Sequence, residues 1–362
     1  MHVVLSGYFG FHNAGDEAIL ASMIKQLRNV DPEIRITVLT NDEIHTTTAY
    51  GVESVNRWKI QDVFRVLKKA DGLISGGGSL LQDATGPRSI IYYTGIMNMA
   101  RFLKKPVYIY AQGMGPFHQS LLKRLVTYSL NRASKITVRD KDSRDLLRAI
   151  GVKKEISLVP DPVLGLDRSN EPSSWMEENQ VKSPFITISA RDWPGKERFI
   201  PKIAQAADQL AEEGYSIVYV PMHGASDYEF SKEMVGHMRH GAYIAPADSS
   251  IEEKMAIITK SELMIGMRLH ALIFSAVCET PFVPISYDPK IDSLAELYNR
   301  PAPFHLEDRH WKSEELVEES LEALSNQKPL KAELKVINRK LKSETAGTVA
   351  DIIKTFEKIT KN

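Results

Sequence analysis

The chain has 362 residues, enough for two domains of ordinary size. Its 43% hydrophobic and 25% charged residues are typical of soluble globular proteins. Lys+Arg and Asp+Glu both total 46, so no global field attracts nucleic acid or an anionic membrane, and any anion site must be local. The single cysteine excludes an intrachain disulfide, and no apolar stretch approaches the ~20 residues that span a bilayer. Because the N-terminus does not resemble a signal peptide, we expect a cytoplasmic protein.

The first half of the chain alternates short β-rich runs with helical patterns. Apolar runs predict strands at 2–5, 35–39, 72–75, 106–110, 136–138 and 156–159. Apolar residues at helical spacing predict a helix through Ile19, Met23 and Leu27, and another at 60–69. Such alternation is typical of a parallel sheet covered on both faces.

A polar stretch, "GLDRSNEPSSWMEENQVKS" at 165–183, interrupts this alternation and predicts a linker. Strand patterns resume at 185–189, 216–220, 263–265 and 281–286, and a charged helical pattern ends the chain. We therefore predict an N-terminal domain at 1–170, a C-terminal domain at 184–325, and a helical tail at 326–362 that packs back on the first domain.

The predicted fold is α/β, with two Rossmann-like doubly wound domains facing across a cleft. In such sheets ligands bind outside the carboxyl ends of the strands. The loops that follow strands are therefore the places to look for function.

The first of these loops is "SGYFGFHNAGDEAIL". Its glycines do not have the spacing of a dinucleotide fingerprint, since they lie at Gly7, Gly10 and Gly15. Asn13, Asp16 and Glu17 stand at the helix entrance, where they either cap the helix or bind sugar hydroxyls. A carboxylate is a poor neighbour for phosphate but a good proton acceptor for a hydroxyl nucleophile.

Three further loops follow predicted strands, and each contains a glycine-rich turn or an arginine. "ISGGGSLLQDATG", with Gly77 and Gly78, exposes backbone N–H groups but lacks the Lys-Ser/Thr of a P-loop; it is otherwise a tight turn. "AQGMGPF" is a similar but less specific loop. In "ISARDWPGKERF", Arg191 leaves a strand end and can bind carboxylate or phosphate, or form a surface ion pair.

The most informative loop is "LMIGMRLHALIFSAVCETPFVPIS". Arg268 and His270 follow a strand and open a helix at about 270–277. A helix N-terminus binds anions, arginine adds a fixed fork, and histidine can move a proton near neutral pH. Although a lone histidine is usually structural, this arrangement favours an acidic phosphorylated ligand and acid catalysis.

Other candidate chemistry is less developed in the sequence. Four histidines in predicted loops either line the cleft or face solvent: His12, His223, His305 and His310. We predict no metal, because no His/Cys/Asp/Glu group has ligand spacing. No basic-aromatic array for nucleic acid and no G-x-S-x-G elbow is present.

Six motifs of the chain, taken in order, resemble those of the polysaccharide pyruvyl transferase family, most closely its CsaB type. They are "GYFGFHNAGDEAIL", "SGGGSLLQD", "AQGMGP", "VRDKDS", "VPDPV" and "GMRLHALIFSA". The resemblance runs from residue 6 to about residue 290. It implies a fold like glycosyltransferase type B and transfer of pyruvate from phosphoenolpyruvate to a sugar as a 4,6-ketal, with release of phosphate. The implied acceptor is N-acetylmannosamine in a lipid-linked secondary cell-wall precursor, whose ketal anchors S-layer proteins.

The resemblance also implies roles for individual residues. It assigns Arg268 and His270 to the donor site, with Arg191 as a further donor arginine. Ketal formation itself needs an acid for the donor, for which we predict His270, and a base or hydroxyl anchor on the acceptor side, for which we predict Asp16. Asn13, Glu17, Gly77 and Gly78 complete the acceptor side. Phosphoenolpyruvate is a co-substrate, so no cofactor is expected, and zero net charge restricts any peripheral membrane contact to a weak or local one.

Two alternatives remain open at this level. A nucleotide-sugar glycosyltransferase of the same fold would use the Arg-x-His loop for a diphosphate. A non-catalytic sugar- or anion-binding protein is the other alternative, although such proteins usually carry a secretion signal.

Overall fold

The computed structural model describes residues 1–84, 86–308 and 310–360. The chain divides into two compact units. Unit 1 comprises residues 1–165 and 341–362, and unit 2 comprises residues 166–340.

Unit 1 is built on a parallel sheet whose strand order is β3-β2-β1-β4-β5-β6-β7. Its strands are β1 His2–Ser6, β2 Arg35–Thr40, β3 Glu53–Asn56, β4 Gly72–Gly76, β5 Val107–Gln112, β6 Lys135–Val138 and β7 Ile156–Leu158. Its helices are α1 Ala14–Val30, α2 Glu43–Tyr50, α3 Ile60–Lys69, α4 Arg88–Phe102, α5 Ser120–Leu130 and α6 Lys141–Ala149, followed by a 3-10 turn at Pro162–Gly165.

The helices of unit 1 cover both faces of the sheet. Right-handed crossovers place α1 and α2 on one face, because β1 to β3 progress in one direction, and α3 to α6 on the other. The apolar sides of α3, α4, α5 and α6 share one core with the central strands. On α1, the apolar residues predicted at helical spacing are buried: Ile19, Leu20, Met23, Ile24 and Leu27.

Unit 2 has a six-stranded parallel sheet of order β10-β9-β8-β11-β12-β13. Its strands are β8 Phe185–Ser189, β9 Ser216–Tyr219, β10 Tyr243–Ile244, β11 Leu263–Gly266, β12 Phe282–Ser286 and β13 Phe304–His305. Its helices are α7 Ser174–Glu178, α8 Lys196–Glu212, α9 Gly224–Gly236, α10 Ile251–Lys260, α11 Leu269–Val277, α12 Pro289–Leu297 and α13 Ser313–Ser325.

The stretch predicted as a linker contains a short helix, α7. Ser173 caps it, because its hydroxyl accepts a hydrogen bond from the Met176 N–H at 3.1 Å. Glu253 of α10 in turn accepts hydrogen bonds from the Ser173 hydroxyl and the Trp175 N–H. The polar residues that predicted an irregular linker thus form a capped turn attached to unit 2.

The last helix, α14 Gln327–Thr360, contributes residues to both units. Its part from residue 341 belongs to unit 1, where Asp351 accepts a hydrogen bond from the Tyr108 hydroxyl at 2.8 Å. The buried ring of Phe356 lies directly against the Cα of Gly72, where a Cβ would approach it to 2.5 Å.

Candidate functional site

In unit 1, Asp16 and the glycine loop meet where the strand order of the sheet reverses. That point lies between β1 and β4, which is where open α/β sheets bind ligands. Asp16 is in the first turn of α1, after β1, and Gly77 and Gly78 follow β4. Gly78 has φ +63°, and a Cβ there would lie only 2.5 Å from Asp16 Oδ1. Glycine therefore allows the loop to approach the carboxyl group closely.

The Asp16 carboxyl group has an unusual electrostatic environment. Burial raises its pKa to about 7, the nearby Arg139 guanidinium opposes this, and Glu17 and Asp161 add to the increase. Within the described residues, no side chain or backbone N–H donates a hydrogen bond to this carboxyl group. It can therefore exchange a proton near neutral pH.

Asn13 and Glu17, the neighbours of Asp16, have structural partners. Asn13 Oδ1 accepts hydrogen bonds from the N–H groups of Gly15 and Asp16, at 3.0 and 3.4 Å, and so caps α1. Glu17 is buried and accepts from the Gly10 N–H and the Tyr50 hydroxyl, both at 2.8 Å. Both side chains fix the loop after β1.

A buried ion pair lies beside Asp16. Arg139 follows β6 and Asp161 follows β7, and Arg139 Nη1 is 2.5 Å from Asp161 Oδ2. Their side chains are only 8% and 6% exposed. Asp161 also accepts the Val163 N–H, which ties it to the 3-10 turn. The pair supplies a fixed positive group close to Asp16, a contribution that sequence analysis did not assign.

Arg57, after β3, is a second buried cation of unit 1 that the sequence did not reveal. Its guanidinium donates to the Gly7 carbonyl at 2.9 Å and to the Tyr93 hydroxyl at 3.2 Å. Four aromatic rings lie within 5.3 Å of it, those of Phe11, Trp58, Tyr92 and Tyr93. These cation–π contacts hold the loop after β1 in position.

In unit 2, two arginines follow the carboxyl ends of neighbouring strands, each the same number of residues beyond a paired position. The order of this sheet reverses between β8 and β11, and Gly266 pairs with Ser189 at their carboxyl ends. Arg191 and Arg268 each lie two residues beyond this pair. The structure thus brings together at one sheet edge two residues predicted from separate motifs.

Arg268 is held by a carboxylate that sequence analysis missed. Asp227, in α9, is completely buried and binds the guanidinium through both oxygens, with Nε to Oδ2 at 2.9 Å. The same Oδ2 accepts the N–H groups of Met222 and His223, at 3.1 and 3.0 Å. Asp227 therefore fixes both Arg268 and the turn after β9.

Arg191 is held by aromatic groups instead. Its Nη1 donates to the Tyr287 hydroxyl at 2.8 Å, and its guanidinium lies 4.9 and 5.0 Å from the ring centroids of Trp193 and Tyr287. In the described part of the chain, no carboxylate pairs with it, so the surface ion pair considered from the sequence is not formed; the adjacent Asp192 pairs with Lys196 instead. With one carboxylate for two arginines, this edge of the sheet keeps a positive charge that suits an anion.

Two histidines accompany these arginines. The Nδ1 of His223 is buried and has no hydrogen-bond partner among the described residues. Burial and the nearby Arg268 and Arg191 lower the pKa of His223, while Asp227 acts in the opposite direction. His270 is half-buried in the first turn of α11. Of the other candidate histidines, His12 lies near Asp42 in unit 1, and His305 lies near Asp292 in unit 2 and pairs with Ser286 at the carboxyl end of β12.

Comparison with known families identifies the chain. A model of the polysaccharide pyruvyl transferase family matches residues 13–289. The chain belongs to the polysaccharide pyruvyl transferase family. Both sheet edges described above lie inside the matched range, from Asn13 to Tyr287.

The chain is similar to the amylovoran biosynthesis protein AmsJ of Erwinia amylovora. It is 23% identical over 249 residues, which cover 62% of this chain. The alignment spans 58% of the length of AmsJ, less than two thirds of that protein.

Solved structures share the fold of this pyruvyl transferase family member. HepE of Anabaena, in complex with UDP-glucose, aligns over 100% of both chains with a TM-score of 0.67 and 13% identity. ADP-heptose lps heptosyltransferase II of E. coli aligns over 91% of this chain and 100% of its own, with a TM-score of 0.56 and 13% identity. These likenesses show the fold: two Rossmann-like α/β domains of glycosyltransferase type B.

Two features of the structure concern metal ions and membranes. In residues 1–84, 86–308 and 310–360, no three His, Cys, Asp or Glu side chains gather where they could hold a metal ion. Over the same residues, no helix is both long enough and apolar enough to cross a bilayer.

The residues that sequence analysis missed share one kind of signal. Asp227 follows β9 just as Arg191 follows β8, in the stretch "VPMHGASD", four residues after the candidate His223. Arg139 and Asp161 follow β6 and β7, within "VRDKDS" and "VPDPV". Position after a strand was thus the available signal, but the pairing of charges was visible only in the folded chain.

Proposed function

We propose that this chain transfers pyruvate from phosphoenolpyruvate to two hydroxyls of a sugar as a 4,6-ketal, releasing phosphate. The observation that carries the proposal is the positive edge of the unit 2 sheet, in a chain that belongs to a pyruvyl transferase family. Among the described residues, Arg191 has no carboxylate partner there, while Arg268 is paired with Asp227. Phosphoenolpyruvate carries a phosphate and a carboxylate on a small skeleton, and arginine forks match both groups.

The reaction needs a proton donor at the methylene carbon of phosphoenolpyruvate. His270, at the start of α11, supplies this proton in our proposal, and the methylene becomes a methyl group. The neighbouring carbon is then attacked by one sugar hydroxyl, and a second hydroxyl displaces the phosphate. Of the two hydroxyl protons, one restores His270 and the other leaves through the base.

Asp16 is the base in this proposal. Its ionised form accepts a hydroxyl proton, and a pKa of about 7 places this exchange in the working range of a cytoplasmic enzyme. Gly77 and Gly78 lie close against α1, Gly78 beside the Asp16 carboxyl group, so in this proposal their backbone forms part of the acceptor side. Asn13 and Glu17 support the acceptor side by fixing the loop.

The acceptor we propose is N-acetylmannosamine in a lipid-linked precursor of a secondary cell-wall polymer, as in CsaB-type enzymes. The ketal would give the polymer a carboxylate to which S-layer proteins anchor. This acceptor implies work at the inner face of the membrane. The motifs "GYFGFHNAGDEAIL" and "GMRLHALIFSA" support the CsaB type, because both resemble motifs of that type.

The central experiment incubates the protein with phosphoenolpyruvate and a β-N-acetylmannosaminide whose 4- and 6-hydroxyls are free. We expect phosphate release and the mass gain of a pyruvate ketal on the sugar. His270→Ala and Asp16→Asn should each lower turnover ~10²–10⁴-fold, the usual contribution of general acid–base groups. Absence of both products with the wild-type protein would refute the proposal.

No cofactor enters this proposal, because arginines rather than a metal ion neutralise the donor. We expect turnover to be unchanged after dialysis against EDTA. Loss of activity that Mg²⁺ or Mn²⁺ restores would show that a metal ion takes part.

The alternative is a nucleotide-sugar-dependent glycosyltransferase. The same two arginines would suit the diphosphate of a sugar nucleotide, and HepE, which has this fold, binds UDP-glucose. Thermal denaturation with phosphoenolpyruvate and with UDP-glucose separates the two functions. A rise in Tm with UDP-glucose alone would favour the alternative.

A further inference from the structure

One segment of this electrically neutral chain is strongly basic. Residues 84–139 contain nine Lys and Arg and no Asp or Glu, so the rest of the chain carries a formal charge of −9. Most of these cations lie on or just after α4 and α5 of unit 1. Those with exposed side chains are Arg88, Arg101, Lys104, Arg124 and Arg132.

The same two helices carry large apolar side chains that face outward. On α4, Ile91 is 55% exposed and Phe102 is 80% exposed. On α5, Leu121 is 76% exposed and Tyr128 is 51% exposed. Single exposed apolar side chains are ordinary, but four of them among cations on adjacent helices are not.

The geometry places these residues on one surface, which we call the α4–α5 face. Ile91 and Phe102 are three helical turns apart and Leu121 and Tyr128 are two turns apart, so each pair lies on one side of its helix. The helices run in the same direction because both follow parallel strands, and Asn98 donates a hydrogen bond to Ser129 at 3.0 Å between them. Their opposite sides enter the core of unit 1.

A groove of about 560 Å³ borders this face beside α5. Of the described residues that line it, three are cations, Lys123, Arg124 and Arg132, and none is an acid. The Arg132 guanidinium lies 3.7 Å from the centroid of the Tyr128 ring, which holds it at the rim. A groove of this size and charge has room for the phosphate of a lipid headgroup.

We propose that the α4–α5 face docks unit 1 on an anionic lipid bilayer. Basic side chains are attracted to the negative surface potential, while Phe102 and Leu121 enter the boundary between headgroups and acyl chains. A bilayer takes up such separate apolar side chains individually, whereas a protein partner needs a continuous complementary surface. The inference extends the proposed lipid-linked acceptor, but the surface is separate from the residues proposed for donor and acceptor.

The test is sedimentation of the full chain with vesicles of phosphatidylcholine, alone or mixed with phosphatidylglycerol. We expect binding to the mixed vesicles only, and less of it as salt increases. Each basic residue near an anionic surface strengthens binding about fivefold, so Arg101→Glu with Arg124→Glu should weaken binding by more than about tenfold. Phe102→Ser with Leu121→Ser should also weaken binding to the vesicles, because these two side chains no longer enter the bilayer. Both side chains are exposed, so we expect the fold to remain intact.

Matched controls come from other surfaces of the protein. Ile44 of α2 is 82% exposed on the opposite face of unit 1, and Lys182 is exposed in unit 2. Ile44→Ser and Lys182→Glu should bind vesicles like the wild type. Equal binding to neutral vesicles, equal losses in the controls, or no binding would overturn the proposal.

Light scattering without lipid tests whether a second copy of the chain, instead of a bilayer, binds the α4–α5 face. Self-association that Phe102→Ser with Leu121→Ser abolishes, in a protein that does not bind vesicles, would assign the face to a dimer and overturn the proposal. The vesicles contain neither phosphoenolpyruvate nor sugar. A chain that binds them but releases no phosphate from phosphoenolpyruvate would therefore refute only the proposed function.

Discussion

At the scale of single residues, Asp227 controls the geometry of the unit 2 sheet edge. Its two oxygens bind Arg268, and Oδ2 also holds the N–H of His223, so one buried carboxylate orients two candidate ligand groups. Such charge-assisted bonds are about twice as strong as neutral ones. Asp227 is therefore a positioning residue, since it acts through Arg268.

We expect Asp227→Asn to raise the KM for phosphoenolpyruvate about tenfold to a hundredfold, because hydrogen bonds to charged groups contribute about 1.5–3 kcal/mol. The kcat should change less, and steady-state phosphate release measures both. Asp208→Asn is the matched control, because Asp208 is equally buried and binds Arg239 elsewhere in unit 2. An unchanged KM in Asp227→Asn, or an equal rise in Asp208→Asn, would contradict this role.

The pKa of Asp16 predicts a pH dependence of stability. Because the pKa is raised from 3.8 to about 7 on folding, the folded state holds a proton that the unfolded chain releases. This contribution is complete below about pH 4 and is lost as the pH rises through 7. Asn cannot ionise, so Asp16→Asn should lose about 1 kcal/mol less stability than the wild type between pH 6 and pH 8. Denaturation of both proteins at the two pH values measures this, and parallel curves would contradict it.

At the scale of elements, segments with their own apolar pattern were predictable, and the two-residue edge strands β10 and β13 were not. The strands at 2–5 and 185–189 and the helix at 60–69 were predicted within a residue of their bounds, because each carries its own apolar pattern. The two-residue strands β10 and β13 have no such pattern. They exist because a neighbouring strand offers free backbone groups, which is a property of the sheet.

Substitution of alanine for glycine should change the stability of the protein in opposite directions at Gly78, in the loop after β4, and at Gly95, in α4. Gly78→Ala should lower both stability and activity, because φ is +63° and the added methyl group meets Asp16. Gly95, inside α4, is exposed with nothing within 4 Å of its Cβ position, so Gly95→Ala should stabilise by about 0.5–1 kcal/mol. Thermal denaturation and phosphate release measure both effects. A tolerated Gly78→Ala would show that Asp16 has room to move.

At the scale of the whole molecule, two units have separate cores, and one helix, α14, belongs to both. Its last part completes the core of unit 1 through Phe356, far along the chain from the strands it contacts. The stability of unit 1 therefore depends on residues that follow unit 2 in sequence.

We expect Phe356→Ala to destabilise unit 1 by about 3–5 kcal/mol, as for other large-to-small changes in cores. Hydrogen exchange should increase in peptides of β1 and β4 and stay the same in those of β8 and β11. Val336→Ala is the control, because this residue of α14 is 66% exposed in unit 2. Uniform exchange increases in both units would contradict separate cores.

The sequence by itself determined the α/β class, the main strands and the family, because apolar periodicity and motif order are local properties of the chain. It also indicated Asp16, Arg191, Arg268 and His270, since each follows a strand. Only the tertiary structure decided the pairing of charges: Asp227 with Arg268, Asp161 with Arg139, and aromatic rings with Arg191 and Arg57. These pairs join residues distant in sequence. The pKa of Asp16 depends on burial that exists only after folding, and the fold places aromatic groups rather than a carboxylate beside Arg191 among the described residues.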